Sequence, residues 1–500
     1  NRVDVTLALR KQADGLNLQS SLLHIHSDDM RSATQFALLF PADATQPPFM
    51  QLQSTLRDID AEKKSRYLPA GIIPPNLLKW LDEGILSGRL ARGDIVVHGP
   101  LGKNWMPYRR VLLGFTVHDA ALRFLPDWTE PVRNLDADVI VDRGAVYGEA
   151  VRGDYFQQTL QGAQVTVPPV PPGQQHMLHV QTQTRGRAET GFDILQTTPL
   201  AGMVGEIIQD MDVQGDMAVD FDLAVPLDKG ERKTAVDVDV QLQQARFDLH
   251  SQKLHVSDLN SNVHFDLEHG LSVPQLAGKS FSGPIAGSLN TKKVRQGGQA
   301  IQLDLHGKAD VAALQDWLKL SVLAPLSGAL DYQVELNVPT GEAKKHLHGY
   351  LNVTSQLKGT AVELPAPFGK PATTAREFRV WQSINREPSL FSVRYDDLFE
   401  LSLQRRKGAL QKGVLMLGAG KALLPDSNIF RVEGQLDTLD LAQWQPVLEQ
   451  IRTASKNYQE NIDSSRMSLL DDSRVQIGNL ILSERNLGLI QIELARLQND

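Results

Sequence analysis

The sequence predicts a mainly β fold: a long, twisted, curled and mostly antiparallel sheet forming an elongated groove with an apolar interior, plus a few short amphipathic helices. Three observations predict it. From Met217 to Gln243 the chain reads MAVDFDLAVPLDKGERKTAVDVDVQLQ, placing Met217, Val219, Phe221, Leu223 and Val225 on alternate positions, and Val236, Val238, Val240 and Leu242 likewise after a polar loop. A strand sends successive side chains to opposite faces, so each strand here has one apolar face and one acidic face. The same alternation recurs along most of the chain, while helical spacing is confined to short stretches. Aspartate is a poor strand former, so the dry face must supply the reason for these strands, and the question becomes what covers it.

The totals bound the function. Five hundred residues exceed one ordinary core and suggest several domains or a repeat array. A net charge of -8 argues against a nucleic-acid partner, which needs a basic face. The absence of cysteine excludes disulfides, thiolate catalysis and Cys-ligated zinc. No run of about 18 apolar residues offers a membrane-spanning helix. Patterning that persists at Asn1 to Leu9 and at Ile490 to Leu497 leads us to expect a piece of a longer chain, with any anchor or export signal outside it.

Taken in order, Val3 to Leu9, Leu16 to His26 and Phe36 to Phe40 read as strands. Phe49 to Arg66 switches to helical spacing. Pro74 and Pro75 suit a helix start and Gly84 its end, with Leu77, Leu78, Trp80, Leu81 and Ile85 as the apolar stripe. Strands return from Ile95 to Val167, separated by Gly and Asp turns, before the stiff Pro168 to Gly173 loop. After the opening hairpin, strands are expected at Ile301 to Leu305, Leu330 to Val338, Leu347 to Val353, Gln356 to Leu364, Phe378 to Trp381, Leu390 to Tyr395, Phe399 to Leu403, Gly413 to Leu417 and Ile429 to Leu436. A last helix runs from about Leu439 into the 450s, followed by a polar stretch and the strands Val475 to Leu482 and Leu487 to Leu494.

The short helices suggest a weak repeat anchored at Trp80, Met203, Trp317 and Trp444, each a helix followed by a run of strands. The expected organisation is one continuous β-groove array, with approximate units 1–66, 67–198, 199–309, 310–438 and 439–500, the first ending in a helix.

No constellation carries catalysis. His24 with His26, and His346 with His348, are pairs that a strand would place on one face, but no third ligand accompanies them, and no metal is expected. Ala277 to Ser280 ends like a phosphate-binding loop, yet Val273 stands where its first glycine belongs. Arg92-Gly-Asp94 and Arg152-Gly-Asp154 read as turns before strands. The aspartates lie singly on strand exteriors and read as solvated faces, so neither an acid/base pair nor a cofactor is expected.

Three stretches carry a resemblance. Leu68 to Leu101, LPAGIIPPNLLKWLDEGILSGRLARGDIVVHGPL, and Gln356 to Pro371, QLKGTAVELPAPFGKP, resemble the large AsmA-like envelope proteins of Gram-negative bacteria, in the YhdP branch; Leu271 to Gly278 is a weaker match. The resemblance implies a middle portion of a periplasmic chain tethered to the inner membrane by a segment absent here. It implies a β-rich groove that carries phospholipid towards the outer membrane. A sister protein, TamB, suggests the alternative of a scaffold or chaperone-like factor for outer-membrane protein assembly. On the transport reading, the partners are phospholipid and the two membranes, and envelope protein partners stay unspecified. The groove floor is expected to include Val219, Phe221, Leu223, Val225, Val236, Val238, Val240, Ile301, Leu303, Leu305, Val334, Leu336, Leu351 and Val353. Leu77, Trp80, Leu314, Trp317, Leu441 and Trp444 are expected on groove-capping helices.

Overall fold

Alternating patterning produces strands wherever neighbouring strands can complete their hydrogen bonds, and the computed structural model is mainly β, a mixed and mostly antiparallel sheet not closed into a barrel. It describes residues 2–494 except 69–72, 74, 125–127, 157, 172, 198–210, 296, 459–471 and 484. Two compact units emerge: Asn1–Leu242 with His264–Leu267, and Gln243–Val263 with Glu268–Asp500.

In the first unit the strand Met30–Pro41 is long enough to serve two short partners. Its start pairs with Leu23–Ser27 and its end with Gly15–Ser20. From there each strand pairs antiparallel with the next: Phe49–Asp60, Ile85–Pro100, Arg110–Leu122, Val132–Asp142, Ala145–Tyr155, Gln158–Val167, Met177–Arg187 and Met211–Pro226. The second unit continues the same way through Gly270–Ser280, Gly283–Lys293, Gln299–Asp310, Leu326–Thr340, Gly349–Ser355, Phe378–Ile384, Ser389–Tyr395, Phe399–Arg406 and Ala409–Leu417. Phe430–Asp440 then pairs parallel to Ala409–Leu417, and Ser473–Leu482 parallel to Phe430–Asp440. Parallel neighbours need a crossover, and the helix Leu441–Tyr458 lies in the second one.

Helix starts follow local chemistry. Asp310 accepts a hydrogen bond from the Ala312 N–H at 3.0 Å ahead of Val311–Leu318, and Asp440 accepts from Ala442 at 3.1 Å ahead of Leu441–Tyr458. The helix Pro75–Gly84 begins on the second proline and ends at Gly84, as its sequence signals predict.

Several expectations need correction. Phe49–Asp60 is a strand, followed by a 3-10 turn at Ala61–Arg66; Met50, Leu52 and Leu56 fit period two as well, and strands on both sides decide for it. The second helix occupies Ala188–Thr197, before the expected Leu200 to Met203, and those four residues lie outside the described ones. Both Arg-Gly-Asp tripeptides lie inside strands, at register shifts, and Arg92 bonds Asp94 at 2.6 Å instead of shaping a turn. His346 and His348 precede their strand. Of Gln356 to Leu364 only Thr360–Val362 is a strand; the rest is loop.

Candidate functional site

Directly paired residues on neighbouring strands share a face, so the registers assemble side chains into rows that cross the strands. In the second unit Leu305, Val334, Val353, Val380, Val393, Leu401 and Leu415 form one unbroken apolar row across seven strands, extended by Val432 on the parallel neighbour. Beside it run Leu289, Leu303, Leu336, Leu351, Gln382, Phe391 and Leu403, a row broken only by Gln382. Every apolar residue of both rows is half-buried, and Gln382 is exposed. Side chains interdigitated with a second sheet would instead be fully buried.

In the first unit Phe115, Val139, Gly148, Val165, Val180 and Leu223 make a comparable row. Of the residues expected here, Val219, Phe221, Val225, Val238 and Val240 are half-buried, while Leu223 and Val236 are buried. Val219 and Phe221 face Thr184 and Thr182, so this stretch of the face carries hydroxyls that alternation within one strand does not disclose. Ile301 pairs with Val338 on the same face as Leu303 and Leu305.

An aromatic block flanks the rows in each unit. In the second unit, two residues beyond Val353, Val380, Val393 and Leu401, the row continues as Ser355, Phe378, Tyr395 and Phe399. Over it folds the loop that carries LPAPFGKP. Phe368 meets Phe399 at 6.3 Å between ring centroids and Trp444 at 5.7 Å, edge to face. The Tyr395 hydroxyl donates to the Phe368 carbonyl at 3.0 Å. Lys370 is 5% exposed, and its Nζ donates to the carbonyls of Leu357, at 2.7 Å, and Thr360. Burial, then the Arg376 charge, hold this ammonium below the usual lysine range. Arg376 Nη1 donates to the Pro367 and Phe368 carbonyls at 2.9 and 3.1 Å. Gly369 permits the fold, because a Cβ there would lie 1.9 Å from the Leu364 oxygen. In the first unit Tyr155 packs among Phe124, Trp128 and Phe156, beside Val132 and Leu135, with Val117, Ala137 and Ala150 against them.

The six helix residues divide. Leu77 and Trp80 are 46% and 38% exposed, with Trp80 Nε1 donating to the Phe124 carbonyl at 3.1 Å. Leu314 and Trp317 are half-buried, and Trp317 rests on Phe281 at 4.9 Å while its Nε1 donates to Gln252 at 2.6 Å. Leu441 is exposed, whereas Trp444 joins the Phe368 block.

The opposite face carries one cluster that the sequence pattern hides. His264 Nδ1 lies 3.0 Å from Asp239 and 3.8 Å from Asp237, and its Nε2 3.4 Å from Asp266. The bond to Asp239 and the surrounding carboxylates raise the imidazole pKa against the cost of burial. The aspartates of the hairpin, expected to stand alone, are thus gathered by a histidine on another strand.

The YhdP protein family model matches residues 1–500. The chain belongs to the YhdP family. It is similar to the intermembrane phospholipid transporter YhdP of Escherichia coli (strain K12), with 22% identity over 369 residues covering 72% of this chain. That alignment spans 27% of the relative's length, about a quarter of it. No solved structure matches the chain. The LPAPFGKP stretch, as seen above, covers part of the apolar face beside its rows.

The sequence list omitted Val380, Phe391, Val393, Leu401, Leu403, Leu415 and Val432. Their strands alternate visibly, but only the register shows that they extend the rows begun by Leu303 and Leu305.

Proposed function

We propose that this chain is a section of a passive phospholipid conduit between the inner and outer membranes of a Gram-negative envelope. It lies in the periplasm and is tethered to the inner membrane by a segment outside this chain. The observation that carries the reading is the pair of long apolar rows left half-buried along one face. A curled sheet would make that face the floor of a groove, repeated along units of helix and strands, and acyl chains would cover it. Burying a methylene is worth about 0.8 kcal/mol, so a lipid with roughly thirty of them would lose on the order of 20 kcal/mol crossing water bare. A continuous dry floor removes that barrier while head groups stay wet, and sliding along it needs no nucleotide. The relative's activity as an intermembrane phospholipid transporter supports the reading. Among the described residues no helix is long and apolar enough to cross a membrane.

The test is Val238→Asp together with Leu303→Asp in the full-length protein. Both sites are half-buried, so the fold should survive, as circular dichroism would verify. Phospholipid delivery to the outer membrane should fall to the level of a deletion strain. Normal delivery by the folded variant would sink the conduit. So would purified protein that carries a client peptide and no phospholipid, which is the signature of an assembly scaffold.

A further inference from the structure

We propose that the loop 356–377 and Trp444 form a side wall of the lipid track, so that acyl chains run across the strands in the two rows beside it. The proposal rests on the conduit reading and adds where hydrocarbon can and cannot go.

Three successive rows on one face of the same strands make the case. The apolar residues of the Leu303 row and the Leu305 row are all half-buried. In the third row, roughly 7 Å further along the strands, Ser355 and Tyr395 are buried and Phe378 and Phe399 half-buried, with Phe368 against Phe399. Tyr395 is 4% exposed and Phe368 above it 7%. The Phe368 ring bridges Phe399 of the sheet and Trp444 of the helix Leu441–Tyr458. The change from open to closed occurs within one step of the pleat, between Val393 and Tyr395 on a single strand.

The wall is anchored in a way that a loose loop would not be. Arg376 reaches the Pro367 and Phe368 carbonyls and the Tyr395 hydroxyl, the last at 3.3 Å, and its guanidinium lies 5.6 Å from the Tyr395 ring centroid. Lys370 binds main-chain carbonyls on both sides of the turn at Lys358 and Gly359. Buried cations that saturate carbonyls fix a loop's main chain in place, because releasing them would strand several acceptors at once. The consequence is directional. A hydrocarbon chain lying on Val393 and Leu401 finds apolar neighbours on every adjacent strand, but meets an aromatic barrier if it turns along the strand towards Tyr395. Lys370 and Arg376 are positioning residues for that barrier and touch no lipid. The first unit repeats the device with Tyr155, Trp128 and Phe124 beside its own row.

The experiment places the photo-crosslinker benzoylphenylalanine at Leu401 or at Phe399 in full-length protein, expressed in Gram-negative cells, and reads phospholipid adducts by mass spectrometry after irradiation. The expected result is adduct at Leu401 and only background at Phe399. Adding Phe368→Ala should bring adduct to Phe399. Equal capture at the two positions with Phe368 intact overturns the wall and leaves the conduit standing. Capture at neither position, in protein that still restores growth, removes the conduit reading and the wall with it. Because the first comparison uses an intact wall, the proposal stays testable if the Phe368→Ala chain fails to fold.

Discussion

The aromatic block of the first unit and that of the second both flank apolar rows, yet they are built differently. In the first, the Tyr155 hydroxyl is buried with no partner among the described residues, and burial pushes its pKa well above the usual phenol range. In the second, the Tyr395 hydroxyl donates to the Phe368 carbonyl and receives Arg376, and a buried lysine ties the loop beneath. The first block is ring packing around Tyr155 with a Trp80 hydrogen bond to the Phe124 carbonyl, the second ring packing over a base of cations and carbonyls. The difference teaches that covering apolar surface and fixing a loop are separate tasks. Rings among rings do the first, but a 22-residue segment that is loop apart from Thr360–Val362, with its own main-chain donors and acceptors, also needs the second.

The contrast can be broken most severely at Phe368. Phe368→Ala removes the ring that joins sheet and helix and should cost the second unit about 3–5 kcal/mol. Hydrogen exchange would show Ser389–Tyr395 losing protection while Ala145–Tyr155 keeps it. Equal loss in both units would mean that the two blocks are not independent.

Next in size is Lys370→Met, which keeps the stem's apolar volume and leaves the Leu357 and Thr360 carbonyls without the ammonium. About 2–3 kcal/mol of the second unit's stability should disappear in a urea titration. An unchanged midpoint would show that the polar base is dispensable and that packing suffices in both units.

The paired tyrosines sharpen the comparison further. Tyr395→Phe should cost about 1 kcal/mol, since it strips the Phe368 carbonyl and Arg376 of a partner, whereas Tyr155→Phe should be neutral or stabilising. Thermal unfolding of the two variants reads the sign directly, and the same sign for both would erase the distinction.

The smallest effect concerns His264 in the first unit. Its folded pKa lies above the ordinary 6.5, so the imidazolium's pairing with Asp239 stabilises below that value and fades as pH rises through the folded one. His264→Gln should flatten this weak loss on raising the pH. A wild-type melting curve that instead improves across the same range would reverse the assigned sign.

Much of the fold was legible because alternation is a one-dimensional signal. Val219 to Val225, Leu303 with Leu305, and Val334 with Leu336 each declare a dry side within their own strand. The helix at Pro75–Gly84 was equally plain, with proline at its start and glycine at its end. Phe49–Asp60 was not, because its apolar residues fit both periods and the flanking strands decide. The Gln356 to Leu364 stretch also misled: its apolar residues are there to pack a loop, and Leu357 and Val362 are buried without a strand of that length.

The sequence by itself determined that each strand has one side that avoids water, since side-chain direction in a strand follows from backbone geometry alone. It also determined where short helices could start, because caps are local. Only the tertiary structure decided which dry sides line up, that Val353 continues through Val380 and Val393 to Leu401, and that Phe368 packs against the row beyond. Register and long-range coverage depend on partners tens of residues away, and the energy that selects them belongs to pairs of strands and to loops laid over them.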